Sequence, residues 1–550
     1  MGLADRQWNV TLRVPRWLRS PRWLALLAGA LPLLAFPAPS LGFIAWFALV
    51  PGMIMILRAV TSREAWIRAW WFGAGYLIAA LYWMAPQIGP GVLLLGLVFG
   101  GLWVPWGIAT WRLLRSPVSW PRAFAGLVVV PSCWMVVELV RSWQALGGPW
   151  NVYGASQWQH PAVLALASLG GIWLVSFVLV AVNVAVVLVL RSVLAVPAGP
   201  AARFPWRGAV FAAVLIALVG AGPLAFALTP PFPAARQVTI AMVQPGVVHD
   251  PNLRTHASQA LTAELSQGGS LSGVKPDLIV WSESSIAEDL TLPSAHVLLG
   301  QIEALSAQDS AEILVSQDAS PPGKGHEKWA VLVSPRGIKG IYVKTRLVPF
   351  GEYIPFRQEL GWLTRISKAA ASNMIPGTGA RLMYPADRAG RTLPIGVLVC
   401  FESAFPDMSR VDADNGAQLI VYQSETSTFQ GTWGPDQHAS LAAVRAAETG
   451  RPVVQAALTG DTVAFDARGR QLAWMGQSGH GVVIARLSLP SQSARTLYDQ
   501  WGDYVLWTSF GIALLSALIM LAQSSGIIRN RAGAAEDHAA QYEEGQSVPR

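Results

Sequence analysis

The chain has 550 residues, of which 53% are apolar and only 13% charged, and its mean hydropathy is +0.40. That charged share is about half of what an ordinary soluble domain carries, which excludes a disordered chain, a collagen-like fibre and a single soluble globule. Two cysteines, Cys133 and Cys400, cannot make a disulfide framework or a zinc cluster. A polytopic membrane protein carrying a soluble domain fits these numbers.

The net charge of +8 is distributed unevenly. All six Lys lie between Lys275 and Lys368, whereas the first 230 residues use only Arg and hold 18 of the 25 Trp. The Pro-rich run from Thr229 to Pro233 marks the boundary. Before it, apolar stretches of near-spanning length predict membrane helices at 23–36, 41–57, 69–84, 92–109, 123–140, 163–190 and 208–228. An eighth is predicted at 504–522, near the end of the chain. The first two are short and interrupted by Pro, as in a shallow hairpin, and the basic start of the first reads as a retained signal-anchor.

Orientation follows from Arg, because cytoplasmic loops keep positive charge. Arg6, Arg13, Arg16, Arg19 and Arg22 precede the first span, and Arg58, Arg63 and Arg68 fall between the second and third. Arg112, Arg115 and Arg122 separate the fourth from the fifth, Arg191, Arg203 and Arg207 the sixth from the seventh, and Arg529 and Arg531 follow the eighth. Alternate loops are nearly free of Lys and Arg. Eight spans then put both termini in the cytoplasm and the middle segment outside. The expected division is a seven-helix membrane domain at 1–228, an extracytoplasmic domain at 229–500, an eighth helix at 501–526 and a disordered cytoplasmic tail at 527–550.

The middle segment has short continuous apolar runs between Gly, Pro and Asp turns, at 238–243, 278–281, 313–316, 330–333, 341–343, 395–399, 419–422, 453–458 and 482–485. Such runs suit strands buried on both faces. Helical stretches such as 436–449 alternate with them, which predicts an α/β or layered αββα domain.

Three segments put polar residues at the ends of these runs: Trp281-Ser-Glu283, then Lys344 through Leu-Val-Pro-Phe-Gly351-Glu352, and Cys400-Phe401-Glu402. A carboxylate, an amine and a thiol are what nucleophilic acyl transfer needs. The thiol attacks as thiolate, a Glu in an apolar pocket can take its proton, and a Lys ammonium can neutralise an oxyanion. Spacing alone does not show that the three converge. Taken singly, Cys400 reads as a buried small hydrophobe, Glu283 as a turn carboxylate and Lys344 as a surface Lys. The eight His show no metal-ligand grouping, so no metal or cofactor is expected, and no His is expected to activate the thiol. The Arg clusters are orientation signals rather than nucleic-acid patches.

Together the three segments resemble the Glu–Lys–Cys signature of the nitrilase (carbon–nitrogen hydrolase) superfamily. The Lys-x-x-x-Leu-Val-Pro-Phe-Gly-Glu stretch is similar to that of one branch, the apolipoprotein N-acyltransferases. So are Gly148-Pro149-Trp150 with Tyr153-Gly154 and Ser156-Gln157 on an outer loop, Gly434-Pro435-Asp-Gln437-His438, and Arg445 through Glu448 to Pro452. Three departures stand out. Ser282 replaces a Pro, Phe401 replaces the commoner Tyr, and Ser424-Glu425-Thr-Ser-Thr-Phe429 stands where relatives carry Ser-Asn-Asp-Ala-Trp-Phe near the pocket.

The resemblance implies a polytopic α-helical membrane protein with an inserted αββα nitrilase-like domain, acting in the bacterial cytoplasmic membrane. It implies Cys400 as nucleophile, Glu283 as general base and Lys344 as oxyanion partner, with Glu352, Glu402 and Phe401 in support. Trp150 and Tyr153 are candidates for substrate contact, although aromatics also gather at the headgroup level for packing alone. The implied acyl donor is a phospholipid, typically phosphatidylethanolamine, and the acceptor a diacylglyceryl-modified apolipoprotein, met among membrane lipids. A membrane-tethered amidase or nitrilase using the same trio, and a degenerate scaffold, are the alternatives.

Overall fold

The computed structural model describes residues 20–116, 118–194, 206–248, 250–267, 273–321, 325–365 and 373–524. The expected tail at 527–550 lies outside them, as do Lys324 and Lys368.

Among the described residues, five helices are long and apolar enough to cross a membrane: Gly91–Leu114, Trp120–Arg141, Ala167–Leu194, Trp206–Leu228 and Tyr504–Gln523. Pro21–Ala35 and Gly42–Leu57 are shorter apolar helices. The remaining expected span falls on the helix Ser62–Ala80, which begins seven residues earlier than the apolar stretch does. Thr61 accepts a hydrogen bond from Glu64 N at 3.2 Å and caps this helix, so Arg63, Glu64 and Arg68 lie within it rather than in a loop. Arg68 pairs with Glu64 one turn away.

Small residues set the closest packing in the bundle. A Cβ on Gly29 would overlap Phe72 O, and one on Gly75 would overlap Leu26 O, so the first helix and Ser62–Ala80 meet backbone to backbone. The heavy Trp content has a structural use here. Trp103, Trp106 and Trp134 pack with Phe72 and Tyr76, at ring separations between 5.0 and 6.5 Å. Glu138, buried beside them, accepts from Trp134 Nε1 at 2.9 Å and Tyr153 N at 2.7 Å.

The segment after the membrane helices holds twelve strands among its described residues. They are β1 (Arg236–Gln244), β2 (Leu278–Trp281), β3 (Glu312–Ala319), β4 (Glu327–Ser334), β5 (Gly337–Val343), β6 (Leu382–Met383), β7 (Ile395–Val399), β8 (Leu419–Ser424), β9 (Val453–Ala457), β10 (Thr462–Phe465), β11 (Gln471–Met475) and β12 (Gly481–Leu489). Every run expected from the sequence is a strand; β6, β10 and β11 are additional. Two six-stranded sheets form, in the orders β12-β1-β2-β3-β4-β5 and β11-β10-β9-β8-β7-β6. Each has a parallel centre, β1-β2-β3 and β7-β8-β9, flanked by antiparallel strands.

Strand periodicity divides the first sheet between two cores. Ile240, Met242, Leu278, Val280 and Leu314 pack toward the second sheet, in one cluster with Ile395, Val397 and Ile420. Their neighbours Ala241, Val243, Ile279, Trp281 and Ile313 pack with Leu265 and Ile302 of the helices Pro251–Gln267 and His296–Asp309. Pro406–Asp414 and Gly434–Thr449 cover the second sheet, completing an αββα sandwich. β1 and β12 pair antiparallel from Arg236↔Leu489 to Gln244↔Gly481, so the chain enters and leaves the sandwich at one sheet edge.

Candidate active site

Cys400 follows the fully buried β7 and opens the tight turn Cys400–Ala404, with its backbone in the left-handed region at φ 51°. A side chain other than Gly rarely sits there, and such strain persists only where neighbours enforce it. Glu402 is the main enforcer. Its Oε2 accepts from Val399 N at 2.7 Å, and its Oε1 accepts from Thr345 N at 2.6 Å, Arg346 N at 3.0 Å and the Tyr342 hydroxyl at 2.8 Å. One buried carboxylate therefore ties the turn after β7 to the turn after β5, and so brings Lys344 to Cys400.

Lys344 is completely buried, and its Nζ donates to Glu352 Oε1 at 2.7 Å and Glu283 Oε1 at 3.3 Å. Glu352 is itself held by Val348 N, 2.8 Å from its Oε2. Glu283, after β2, accepts from Glu425 N at 2.9 Å through its other oxygen. The Cys400 thiol donates to Glu425 O at 3.7 Å, and Ser424 Oγ donates to the sulfur at 4.0 Å. The ends of β2, β5, β7 and β8 thus supply one constellation, at the carboxyl edge of the parallel strands where open α/β sheets bind ligands.

Electrostatics sort the groups. Burial pushes the Glu283 carboxyl above its usual range, with Lys344 and Lys328 pulling the other way. Burial, and then the charge of Glu283, raises the Cys400 thiol, against the pull of Lys344. The thiol is therefore protonated at rest and needs a base. Burial alone would lower the Lys344 ammonium, but Glu283 and Glu352 outweigh it and hold it well above its ordinary value. Lys344 stays charged.

A histidine approaches the nucleophile's turn without reaching the thiol. His438 Nε2 lies 3.0 Å from Cys400 O and 3.0 Å from Ser403 Oγ, and its Nδ1 is 3.4 Å from Ser424 Oγ. It bonds the backbone carbonyl and two hydroxyls rather than the thiol. Burial lowers it to about 4, so it is neutral and holds the turn in place.

Other neighbours escaped the sequence reading. Lys328 Nζ donates to Ser284 Oγ at 2.8 Å beside Glu283 and pairs with Asp318. Tyr342 and Glu425 are the other two. Tyr342 and Glu425 lie in or beside segments that carry the site's signature, whereas Lys328, in β4, lies in none.

The loop between the helices Trp120–Arg141 and Ala167–Leu194 lies against this site. Trp150 Nε1 donates to Gln437 Oε1 at 3.1 Å, and its ring stacks on His438 at 5.9 Å and contacts Trp83 at 5.0 Å. Gly148, at φ 68°, fits under two aromatic rings: a Cβ there would come within 2.7 Å of Phe405 and 3.0 Å of Phe401. Phe401 packs edge-on against Phe405 at 5.0 Å. Gln144 Nε2 donates to Leu347 O at 2.9 Å, tying the same loop to the Lys344–Glu352 segment. Tyr153 is not brought to the site. It is buried in the bundle against Trp134, its hydroxyl donating to Ala45 O at 2.6 Å.

Residues 240–495 match the family model of carbon-nitrogen hydrolases, the class of domain that this sandwich and its Glu–Lys–Cys constellation define. Residues 28–185 match the model of the apolipoprotein N-acyltransferase N-terminal domain. The chain is 28% identical over 538 residues to the apolipoprotein N-acyltransferase of Allorhizobium ampelinum, covering 90% of this chain and 95% of that one. It is 29% identical over 536 residues to that of Pseudomonas aeruginosa UCBPP-PA14, covering 92% and 97%. Among solved structures, the carbon-nitrogen hydrolase of Helicobacter pylori G27 aligns with 52% of this chain and 94% of its own, at 14% identity and a TM-score of 0.33. The chain belongs to the apolipoprotein N-acyltransferase family.

Proposed function

We propose that this acyltransferase moves a fatty acyl chain from a phospholipid, through a thioester on Cys400, to the N-terminal α-amine of diacylglyceryl-cysteine in apolipoproteins. The observation that carries the chemistry is the buried Lys344 ammonium, 3.3 Å from Glu283 and beside the protonated Cys400 thiol.

Glu283 takes the thiol proton as sulfur bonds to the ester carbonyl carbon, and Lys344, with backbone N–H groups of the Cys400 turn, neutralises the oxyanion. The carbon–oxygen bond then breaks. Glu283 returns its proton to the departing glycerol oxygen, and lysophospholipid leaves. In the second half the acceptor amine attacks the thioester and gives a proton to Glu283. The carbon–sulfur bond breaks, the amide forms, and the proton returns to Cys400. Phosphatidylethanolamine is the expected donor.

In this reading residues 1–228 cross the bacterial cytoplasmic membrane seven times, 229–500 form the catalytic domain on the outer face, 501–526 make the eighth crossing and 527–550 are a cytoplasmic tail. The alternation of Arg-rich segments with segments nearly free of Arg supports that orientation. Both substrates are anchored lipids, so a thiol held near the headgroup plane meets them by lateral approach.

Purified protein given phosphatidylethanolamine labelled in its acyl chains should acquire hydroxylamine-labile label on Cys400 and pass it to a diacylglyceryl-cysteine peptide. Turnover of small amides or nitriles without any acyl-Cys400 would replace this reading with the tethered hydrolase, and no chemistry at all would leave a scaffold.

A further inference from the structure

Glu425 lies in the stretch that departs from the family pattern, and its backbone touches two members of the trio. Its N–H donates to Glu283 Oε2 at 2.9 Å, and its carbonyl accepts from the Cys400 thiol at 3.7 Å. The two groups sit on either side of one Cα, so a shift of this residue moves both the base and the nucleophile.

The side chain of Glu425 is anchored from outside the strand-end cluster. Its Oε1 lies 3.2 Å from Arg254 Nη1 and accepts from Ser427 Oγ at 3.0 Å. Arg254 belongs to the helix Pro251–Gln267, and its Nε donates to Val248 O at 2.6 Å, so the guanidinium is held from behind as well. The two side chains are 13% and 21% exposed, which screens them less than an open surface pair.

We propose that the Arg254–Glu425 ion pair is a positioning device, fixing the Glu425 backbone that holds the Cys400 thiol and the Glu283 carboxylate in register. The loop after β8 carries three hydroxyl residues between Glu425 and Phe429; its far end is held by Gln87 Nε2, which donates to Thr428 O at 2.5 Å, and by Phe429 against Trp83, whereas the ion pair holds its near end. Arg254 and Glu425 act through that backbone. The reaction they support is the one proposed above, and the proposal rests on that reading only for its kinetic readout.

The test uses the full-length protein in lipid nanodiscs, with Glu425→Gln, Arg254→Met and the exchange Arg254→Glu/Glu425→Arg. Two quantities are read: the rate of Cys400 acylation from labelled phosphatidylethanolamine, and alkylation of Cys400 by iodoacetamide across pH, which needs no lipid. The Cys400 thiol faces Glu283, Lys344 and Glu352, and Glu283 in turn faces Lys344, Lys328, Glu352 and Glu425, all unchanged in Arg254→Met. Each single variant should lose about tenfold or more in kcat with KM nearly constant, as expected when reacting groups are misplaced rather than substrate binding lost. The alkylation profile should move to lower pH in Glu425→Gln, which removes a negative neighbour, and to higher pH in Arg254→Met, which unmasks one. The exchange should recover rate and profile toward wild type. Profiles coinciding with wild type in both single variants, or an exchange no better than either, would overturn the proposal, whatever the acylation assay shows.

Discussion

The Lys344 ammonium lies nearer to Glu352, at 2.7 Å, than to Glu283, at 3.3 Å. The two carboxylates share the ammonium, so Glu283 is not locked in an exclusive ion pair. It keeps its second oxygen on Glu425 N and stays basic enough to accept a proton.

Glu352→Gln tests that division. With one carboxylate gone, Lys344 turns fully to Glu283, and a negative neighbour that raises Glu283 is lost. The Glu283 pKa should fall, moving the acid limb of the rate profile to lower pH while weakening the base. A drop of about tenfold in acylation rate with that downward shift is expected. An unmoved acid limb would show that Glu352 does not tune Glu283.

Lys344→Met should cost about 10²–10³-fold in acylation, the effect of removing one strong oxyanion donor. It should also raise the Cys400 pKa, because Lys344 is the positive charge that favours thiolate. Glu283→Gln should collapse the rate without raising the thiol, since the Glu283 charge itself pushes that pKa up. Iodoacetamide alkylation across pH separates the two. Identical profiles for wild type and Lys344→Met would exclude a role for Lys344 beside the nucleophile.

Cys400→Ser should form no acyl-enzyme, because a serine hydroxyl is far less ionised than a thiol and His438 is committed to the backbone. Cys133, buried in Trp120–Arg141, should tolerate Ala with activity largely kept. Mass spectrometry of the intact protein after incubation with phospholipid reads both. Acylation surviving in Cys400→Ser would move the nucleophile elsewhere.

Gly148→Ala places a Cβ against Phe405 and Phe401 at a positive φ. Strain of about 1–3 kcal/mol is expected, released by pushing the turn after Cys400 away from the membrane domain. Acylation should fall more steeply than thermal stability does. Equal losses would make the contact a matter of folding alone.

Labelling from the two sides of the membrane checks the topology. Cysteines introduced at Lys275 and Glu425 should react from outside, and those at Arg63, Arg115 and beyond Arg529 only from within. Reaction at Lys275 from the cytoplasm would overturn the eight-span arrangement.

Much of this architecture was legible because its signals are local. Continuous apolar runs such as Ile395–Val399 identify strands buried on both faces, and Glu283, Lys344 and Cys400 each stand out by ending such a run. β11 was missed because Gln471–Met475 is partly exposed and lacks such a run, and β6 because it has only two residues. The start of Ser62–Ala80 was misjudged because a Thr cap and a charged first turn begin a helix before its apolar stretch does. The role of Glu425 could not be read at all. Its contacts with Glu283 and Cys400 come from the backbone, which carries no side-chain signature, and Arg254 is 171 positions away in the sequence.

The sandwich is fastened to the helical bundle at several separate places. β1 and β12 leave side by side; Trp150 meets Gln437 and His438; Gln144 Nε2 donates to Leu347 O at 2.9 Å; and Ile172 N donates to Glu448 at 2.7 Å. A body pinned at several points cannot swing between a donor and an acceptor. Traffic must therefore be carried by the lipids: lysophospholipid has to clear the thioester before a lipoprotein amine can take its place. Excess phospholipid should then slow the second half-reaction by occupying the same berth, giving inhibition by the first substrate that only a higher concentration of lipoprotein relieves.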